Sequence, residues 1–257
     1  MEYTDNIPND IQPISEISNT TFDFNPNHAF HNPPKKIIRT WQEYIQTLPH
    51  YEQIMLKYTI IQKPILLQQT FEQQEEIIIC SDGALKEKKS GGAFVIATKT
   101  EEILVTNKNP DTGHNYFQSS YRSEAQACYS TFLFIFFYCK YHNIQAPSIM
   151  YYCDNKGLIT RLNNPHKQIA TMKECELIQL FQNISKPGQV YKHVYAHQDL
   201  KLKALSTPEY INTIADLIAS KNRVITRQVH SPKLITIYQG GKYIPHDITR
   251  FLRKQHF

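Results

Sequence analysis

The chain has 257 residues, a formal net charge of +5 and 41% hydrophobic side chains, enough for one ordinary domain with appendages or for two small domains. No apolar run reaches the roughly 18 residues of a membrane-spanning helix; the nearest, residues 131–138, is far too short, and the polar, acidic residues 1–13 do not read as a secretory leader. Five scattered cysteines without a CxxC pair point to reduced thiols in an intracellular protein and away from a zinc–cysteine site.

Residues 1–36, rich in Asn, Pro and Asp, read as a disordered arm. Residues 37–74 read as a short helical linker, in which 38–58 carry two amphipathic helices broken near Leu48-Pro49, while 59–74 show no assignable pattern. A folded domain is expected over 75–225. The apolar run Ile77-Ile78-Ile79-Cys80 predicts a buried strand ending at Ser81-Asp82-Gly83. Strands over 91–97 and 102–106 follow, with a charged turn at 86–89, so the three form an antiparallel meander. A helix over 124–141 is expected, with Ser123 as its N-cap and Glu124 in its first turn. A buried strand over 149–153 ends at Asp154. Helices over 155–163 and 171–184, a strand over 190–195 leading to His197, and a helix over 209–222 carrying Asp216 complete the domain. The order β-β-β-α-β-α-α-β-α indicates an α/β fold, a mixed five-stranded sheet with helices on its faces.

Residues 226–257 read as a basic C-terminal extension: a small hairpin turning at Gly240-Gly241, then a basic helix from about Asp247. Residues 221–257 hold eight Lys or Arg against the single acid Asp247, leaving 20 basic and 22 acidic residues for the rest of the chain. A basic excess gathered in one segment suits contact with a polyanion.

Asp82 and Asp154 are each expected at the end of a buried strand, and Glu124 at the start of the helix that must pack across the sheet between them. Carboxylates at the ends of core strands are costly unless something pairs with them. Adjacent strands lie about 4.8 Å apart, so the two aspartates can share one site. Crowded carboxylates repel, and a divalent cation relieves the repulsion. Hard oxygen donors select Mg²⁺ or Mn²⁺, and two such ions about 4 Å apart suit in-line displacement at a phosphodiester. Any one of these acids alone reads as an ordinary strand-end or cap residue; it is the combination that points to chemistry.

The segments SDG (81–83), RSEAQA (122–127), CDN (153–155) and INTIADLIAS (211–220) resemble, in order, the four signature blocks of the type 1 ribonuclease H family. YAHQD (195–199) is similar to the His block before the fourth. The similarity covers about residues 75–222 and is greatest to the ribonuclease H domains of retrotransposon reverse transcriptases; residues 41–56 and 235–253 are similar to the segments that flank the domain in those polyproteins. The resemblance implies a ribonuclease H-like fold and hydrolysis of the RNA strand of an RNA–DNA hybrid. It implies two Mg²⁺ ions, with Mn²⁺ as substitute, held by Asp82, Glu124, Asp154 and Asp216. It gives His197 a proton-shuttling or product-release role, and Gln126 and Asn155 contacts to the nucleic acid. The chain would then be part of a larger reverse transcriptase polyprotein. Two rivals remain: a catalytically silent nucleic-acid-binding copy, which the complete acid set disfavours, and an integrase-like nuclease, whose Asp–Asp–Glu order differs from the order here. His193 and His197, four apart, lack the Glu of a zinc protease motif.

Overall fold

The computed structural model describes residues 40–87, 89–112, 119–164, 174–185, 189–198, 204–221, 223–225, 237–239 and 242–244. The arm expected over 1–36, the turn at Gly240-Gly241 and the helix expected from Asp247 lie outside the described residues.

The sheet is built around β2 (Ile77–Lys86), β3 (Lys89–Ala97) and β4 (Ile103–Pro110), which pair antiparallel as the meander expected from the sequence. β5 (Ile149–Cys153) then pairs parallel to β2, and β6 (Val190–His193) parallel to β5. Two two-residue strands enlarge this five-stranded core to seven: β1 (Ile60–Ile61) beside β4, and β7 (Val224–Ile225) beside β3. The path through the sheet is β1-β4-β3-β2-β5-β6. The chain therefore forms the expected mixed α/β sheet flanked by helices, in the element order that the ribonuclease H resemblance implies.

α4 (Ser120–His142) crosses one face of the sheet and is buried over most of its length. Its aromatic residues Phe132, Phe134 and Tyr138 join Ile77 and Ile79 of β2 and Phe94 and Ile96 of β3 in one core. α6 (Cys175–Ile184) lies alongside, with the Phe132 and Phe181 rings edge to face at 4.8 Å. α7 (Thr207–Lys221) covers the opposite face, where Ile211, Ala215 and Ala219 meet Cys80, Ala84, Ala93, Val95 and Ala97. This division follows from the alternation of side chains along a strand: odd residues of β2 face α4 and even residues face α7.

The segment expected as a helical linker does form helices. α1 (Trp41–Gln46) opens with a capping box between Thr40 and Glu43, α2 (His50–Leu56) follows Pro49, and α3 (Pro64–Glu72) starts on a proline, whose missing N–H costs nothing in a first turn. Their residues Trp41, Ile45, Tyr51, Met55, Leu67 and Phe71 are buried in the same core as α4. Trp41 stands edge-on to Phe134, Tyr138 and Tyr141 at 5.5 to 5.9 Å. β1 and α3 occupy the stretch that the sequence pattern left unassigned.

Three boundaries shift. α4 starts at Ser120 with Ser119 as its N-cap, the Ser119 hydroxyl accepting from the Arg122 N–H at 3.0 Å, so Ser123 is not the cap and Glu124 lies in the second turn. β2 does not end at Asp82 but runs on to Lys86, which puts Asp82 inside the strand, opposite Ala93. β4 extends to Pro110, beyond the 102–106 expected, because its polar residues Asn107 and Asn109 are buried and paired within the sheet. The described part of the C-terminal extension holds an antiparallel pair, β8 (Ile237–Gln239) with β9 (Lys242–Ile244). Among the described residues no helix is long and apolar enough to cross a membrane.

Trp41 is the chain's single tryptophan, so its fluorescence reports on this packing. Trp41→Ala should lower stability by about 3–5 kcal/mol, measured by urea denaturation. A loss below about 1 kcal/mol would mean that α1 and α2 do not unfold together with the sheet.

Candidate metal centre

β5 pairs with β2 only as far as Tyr152 against Cys80. Beyond that point β2 continues without β5, and the N-terminal part of α4 lies against its face at Gly83. Gly83 makes this possible. A Cβ on Gly83 would fall 2.2 Å from the Glu124 nitrogen and 2.3 Å from the Ser123 carbonyl carbon, so only glycine lets strand and helix approach this closely. The contact seats Glu124 beside Asp82.

Three acids meet here. Asp82 and Glu124 are 5% and 4% exposed, and Asp154, just past the end of β5, is half-buried. The Glu124 carboxyl is the hub: it is coupled electrostatically to the carboxyls of both Asp82 and Asp154. Asp216, from α7, is close enough to raise the pKa of both aspartates. Burial is the main force holding these acids back from ionising, and their mutual repulsion adds to it. It pushes Asp82 up to about 7, lifts Asp154, and drives Glu124 well above the ordinary range. Among the described residues no Lys or Arg forms an ion pair with Asp82, Glu124 or Asp154.

The rest of the expected set is arranged around this group. His197 sits in the left-handed backbone region (φ 54) on an exposed loop, its Nδ1 3.5 Å from Asp216 Oδ2. Asp216 also accepts from Ser220 Oγ at 3.0 Å. Asn155 is the N-cap of α5 (Lys156–Leu162): its Oδ1 accepts from the Leu158 N–H at 3.0 Å. Gln126, expected at the nucleic acid, is fully buried, and its side-chain amide bonds to Thr112, accepting from the Thr112 N–H and donating to the Thr112 carbonyl and hydroxyl, which ties the residues after β4 to α4. Asp199 lies outside the described residues.

Three features went unnoticed in the sequence. The Cys153 thiol lies among the carboxyls: donor atoms of Glu124, Cys153 and Asp154 all lie within 4.8 Å of one another, with Sγ 3.5 Å from Glu124 Oε2. The only sequence signal for it was its place immediately before Asp154. His193 Nε2 is 3.0 Å from the Asp154 carbonyl oxygen, and the Val194 N–H donates to the Cys153 carbonyl, so β6 fixes the turn that carries Asp154. Finally, a buried polar frame braces the start of α4. Arg122 pairs with Glu174 and donates from Nε to the Thr112 carbonyl at 2.9 Å, while the Ser123 hydroxyl donates to Asp111.

No protein-family model and no curated protein matches the chain. Among solved structures it is similar to an RNase H1 isolated from compost by a metagenomic approach, at 16% identity and a TM-score of 0.39, covering 57% of this chain and 94% of that one. It is similar also to the RNase H1 of the halophilic archaeon Halobacterium salinarum NRC-1, at 11% identity and a TM-score of 0.40, over 57% and 96% of the two chains. A foamy viral protease-reverse transcriptase in complex with RNA/DNA hybrid gives 14% identity and a TM-score of 0.40, over 74% of this chain and 22% of that one. Likenesses this distant carry no argument by themselves, and the weight falls on this chain's own side chains.

The crowding has a thermodynamic signature. An unfolded Asp titrates near ~3.9, whereas Asp82 is pushed up to about 7 and the buried Asp111 to about 6, in both cases chiefly by burial. Between those limits the native state holds protons that the unfolded chain has released. Without divalent cations, stability is therefore greatest below about pH 4 as far as these groups are concerned, and declines as the pH rises towards about 7. Asp111→Asn should remove the lower part of that decline and Asp82→Asn the part that reaches neutrality, and Mg²⁺ should stabilise the protein more at neutral than at acid pH. Denaturation across this range, with and without Mg²⁺, checks all three. A decline unaltered by either substitution would show that other groups cause it.

Proposed function

We propose that the chain is a ribonuclease H that hydrolyses the RNA strand of an RNA–DNA hybrid with two divalent metal ions, and that it derives from the reverse transcriptase polyprotein of a retroelement. One observation carries the reading: three carboxyls gathered at a gap in the sheet, two of them almost wholly buried, with a fourth acid facing them and, among the described residues, no Lys or Arg pairing with the three. The order and setting of these acids agree with the family resemblance of their sequence blocks.

The donor set fits Mg²⁺ or Mn²⁺, since Asp82, Glu124, Asp154 and Asp216 offer hard oxygens only. Bound ions would supply the Lewis acidity and the activated water for attack on a phosphodiester, leaving a 3′-hydroxyl and a 5′-phosphate. The chain's own residues do the rest. Asp82 on β2 and Glu124 on α4 are held rigidly by the Gly83 contact. Asp154 is fixed through its backbone by His193. Asp216 and His197 form the more exposed side of the site, where an imidazole can pass a proton between the reacting group and solvent. Discrimination for RNA rests on the 2′-hydroxyl, and cleavage is not expected to depend on sequence.

The test is incubation with a labelled RNA–DNA hybrid in Mg²⁺ and, separately, in chelator. Cleavage of the RNA strand in Mg²⁺ alone is expected, with duplex DNA of the same sequence left intact. Hybrid binding without cutting would support a silent binding module, and equal cutting of both duplexes a general or integrase-like nuclease. Asp154→Asn should abolish cleavage while hybrid binding persists. His197→Ala should slow turnover by about a hundredfold to ten-thousandfold, less than loss of any carboxylate; a His197 variant as inactive as Asp154→Asn would make His197 a ligand instead.

A further inference from the structure

We propose that Cys153 gives this centre a second metal chemistry: with Glu124 and Asp154 it forms a sulfur–oxygen–oxygen socket for a thiophilic divalent cation, Zn²⁺ or Cd²⁺. The proposal rests on the reading of the acids as metal ligands and deepens it.

The argument begins with the donor set. Carboxylate oxygens alone favour hard ions, but a thiolate among them shifts the preference towards softer ones, and sites of mixed sulfur and oxygen donors suit four-coordinate Zn²⁺. Cys153 lies at the end of the core on the α4 side of β5, and there it meets the carboxyls. Its Sγ lies 3.5 Å from Glu124 Oε2, and the donor atoms of Glu124, Cys153 and Asp154 are all mutually within 4.8 Å. In a tetrahedral site with a metal–sulfur bond of about 2.3 Å and a metal–oxygen bond of about 2.1 Å, sulfur and oxygen stand roughly 3.6 Å apart. The Cys153–Glu124 edge thus already has the span such an ion requires, before any ion is bound.

The surroundings favour a rigid socket. Cys153 is fully buried, its strand pairs with β6 at His193, and the Asn155 N–H donates to its sulfur at 3.3 Å. The backbone of Glu124 is held between the close Gly83 contact and the bonds that Arg122, Ser123 and Gln126 make outside α4. On coordination the thiol loses its proton to solvent and the S–H bond is replaced by a sulfur–metal bond. Since Glu124 and Asp154 also belong to the oxygen set proposed for Mg²⁺, the two uses are mutually exclusive: a thiophilic ion in the socket removes two ligands from the nuclease site.

The test is titration of the whole protein with Cd²⁺, followed by sulfur-to-metal charge-transfer absorption in the ultraviolet and by equilibrium binding. One ion per chain should bind with that absorption. Cys153→Ser should abolish the band and weaken binding by at least about tenfold, the smaller end of what even a supporting contact contributes. Glu124→Gln, with the sulfur intact, should weaken binding similarly, and this variant decides the matter if Cys153→Ser loses its cooperative melting. No band in the native protein, a band unchanged in Cys153→Ser, or Cd²⁺ affinity unchanged in Glu124→Gln would each overturn the proposal. Hybrid cleavage in Mg²⁺, assayed on the same native protein, separates the two readings. Cleavage without a Cd²⁺ band sinks only the thiophilic socket, and a Cys153-dependent band without cleavage sinks only the nuclease.

Discussion

The site depends on one steric fact: β2 and α4 touch backbone to backbone at Gly83. With 2.2 Å between a notional Cβ and the Glu124 nitrogen, any side chain there would force strand and helix apart. Because the contact is made by backbone, it fixes Glu124 relative to Asp82 without relying on the conformation of either side chain. Everything else in the centre is arranged around that pair. β5 ends short of Asp82, Asp154 follows the last residue of β5, and α7 covers the face towards which Asp82 points.

A fixed backbone contact is useful only if the helix is also held in rotation, and the polar frame behind the site provides this. Arg122 and Ser123 precede Glu124, and both are tied to groups outside α4, to Glu174 and Thr112 and to Asp111 respectively. Gln126, two residues beyond, clamps Thr112 with three hydrogen bonds. Buried polar groups satisfied in this way contribute little net stability but make departures from one arrangement expensive. Three of the residues around Glu124, namely Arg122, Ser123 and Gln126, thus serve one geometrical end, which is to aim Glu124.

Much of this was legible in the sequence. The meander, the buried strand before Asp154 and the helix carrying Asp216 all announced themselves through apolar runs and their punctuation, because sheets and helices impose periods of two and 3.6 on what is buried. The acids stood out because charge at the end of an apolar run is rare. What escaped notice depended on contacts between residues far apart in the chain. Residues 59–74 gave no pattern, since β1 has only two residues and α3 is short. Ser119 and Ser123 are both acceptable caps by type, and only the geometry of the Arg122 N–H chooses between them. Gln126 looked available to nucleic acid because of its place in a signature block, whereas its role is set by Thr112, fourteen residues away. Cys153 looked like strand filler, since the period of two says which face a residue takes but not that the strand ends beside a carboxyl.

The two buried acid clusters of this molecule can be set against each other. Asp111 and Glu174 are as buried as Asp82 and Glu124, yet each has a partner within the protein, the Ser123 hydroxyl on Asp111 and the Arg122 guanidinium on Glu174, which offsets part of the cost of burial. Burying a charge is tolerable when it is paired and hydrogen-bonded, and that first cluster has the form of a structural brace. The second has acids for neighbours: burial and the charge of the neighbouring carboxyls together raise the pKa values of Asp82, Glu124 and Asp154. Such an arrangement opposes folding at neutral pH, and a site serving stability alone would be better built from apolar residues. The same fold thus contains both solutions to one electrostatic problem, a few residues apart along α4. The cluster without a Lys or Arg partner among the described residues is the one that lies at the gap in the sheet, beside the half-buried Asp216 and the exposed His197, where solvent can reach it.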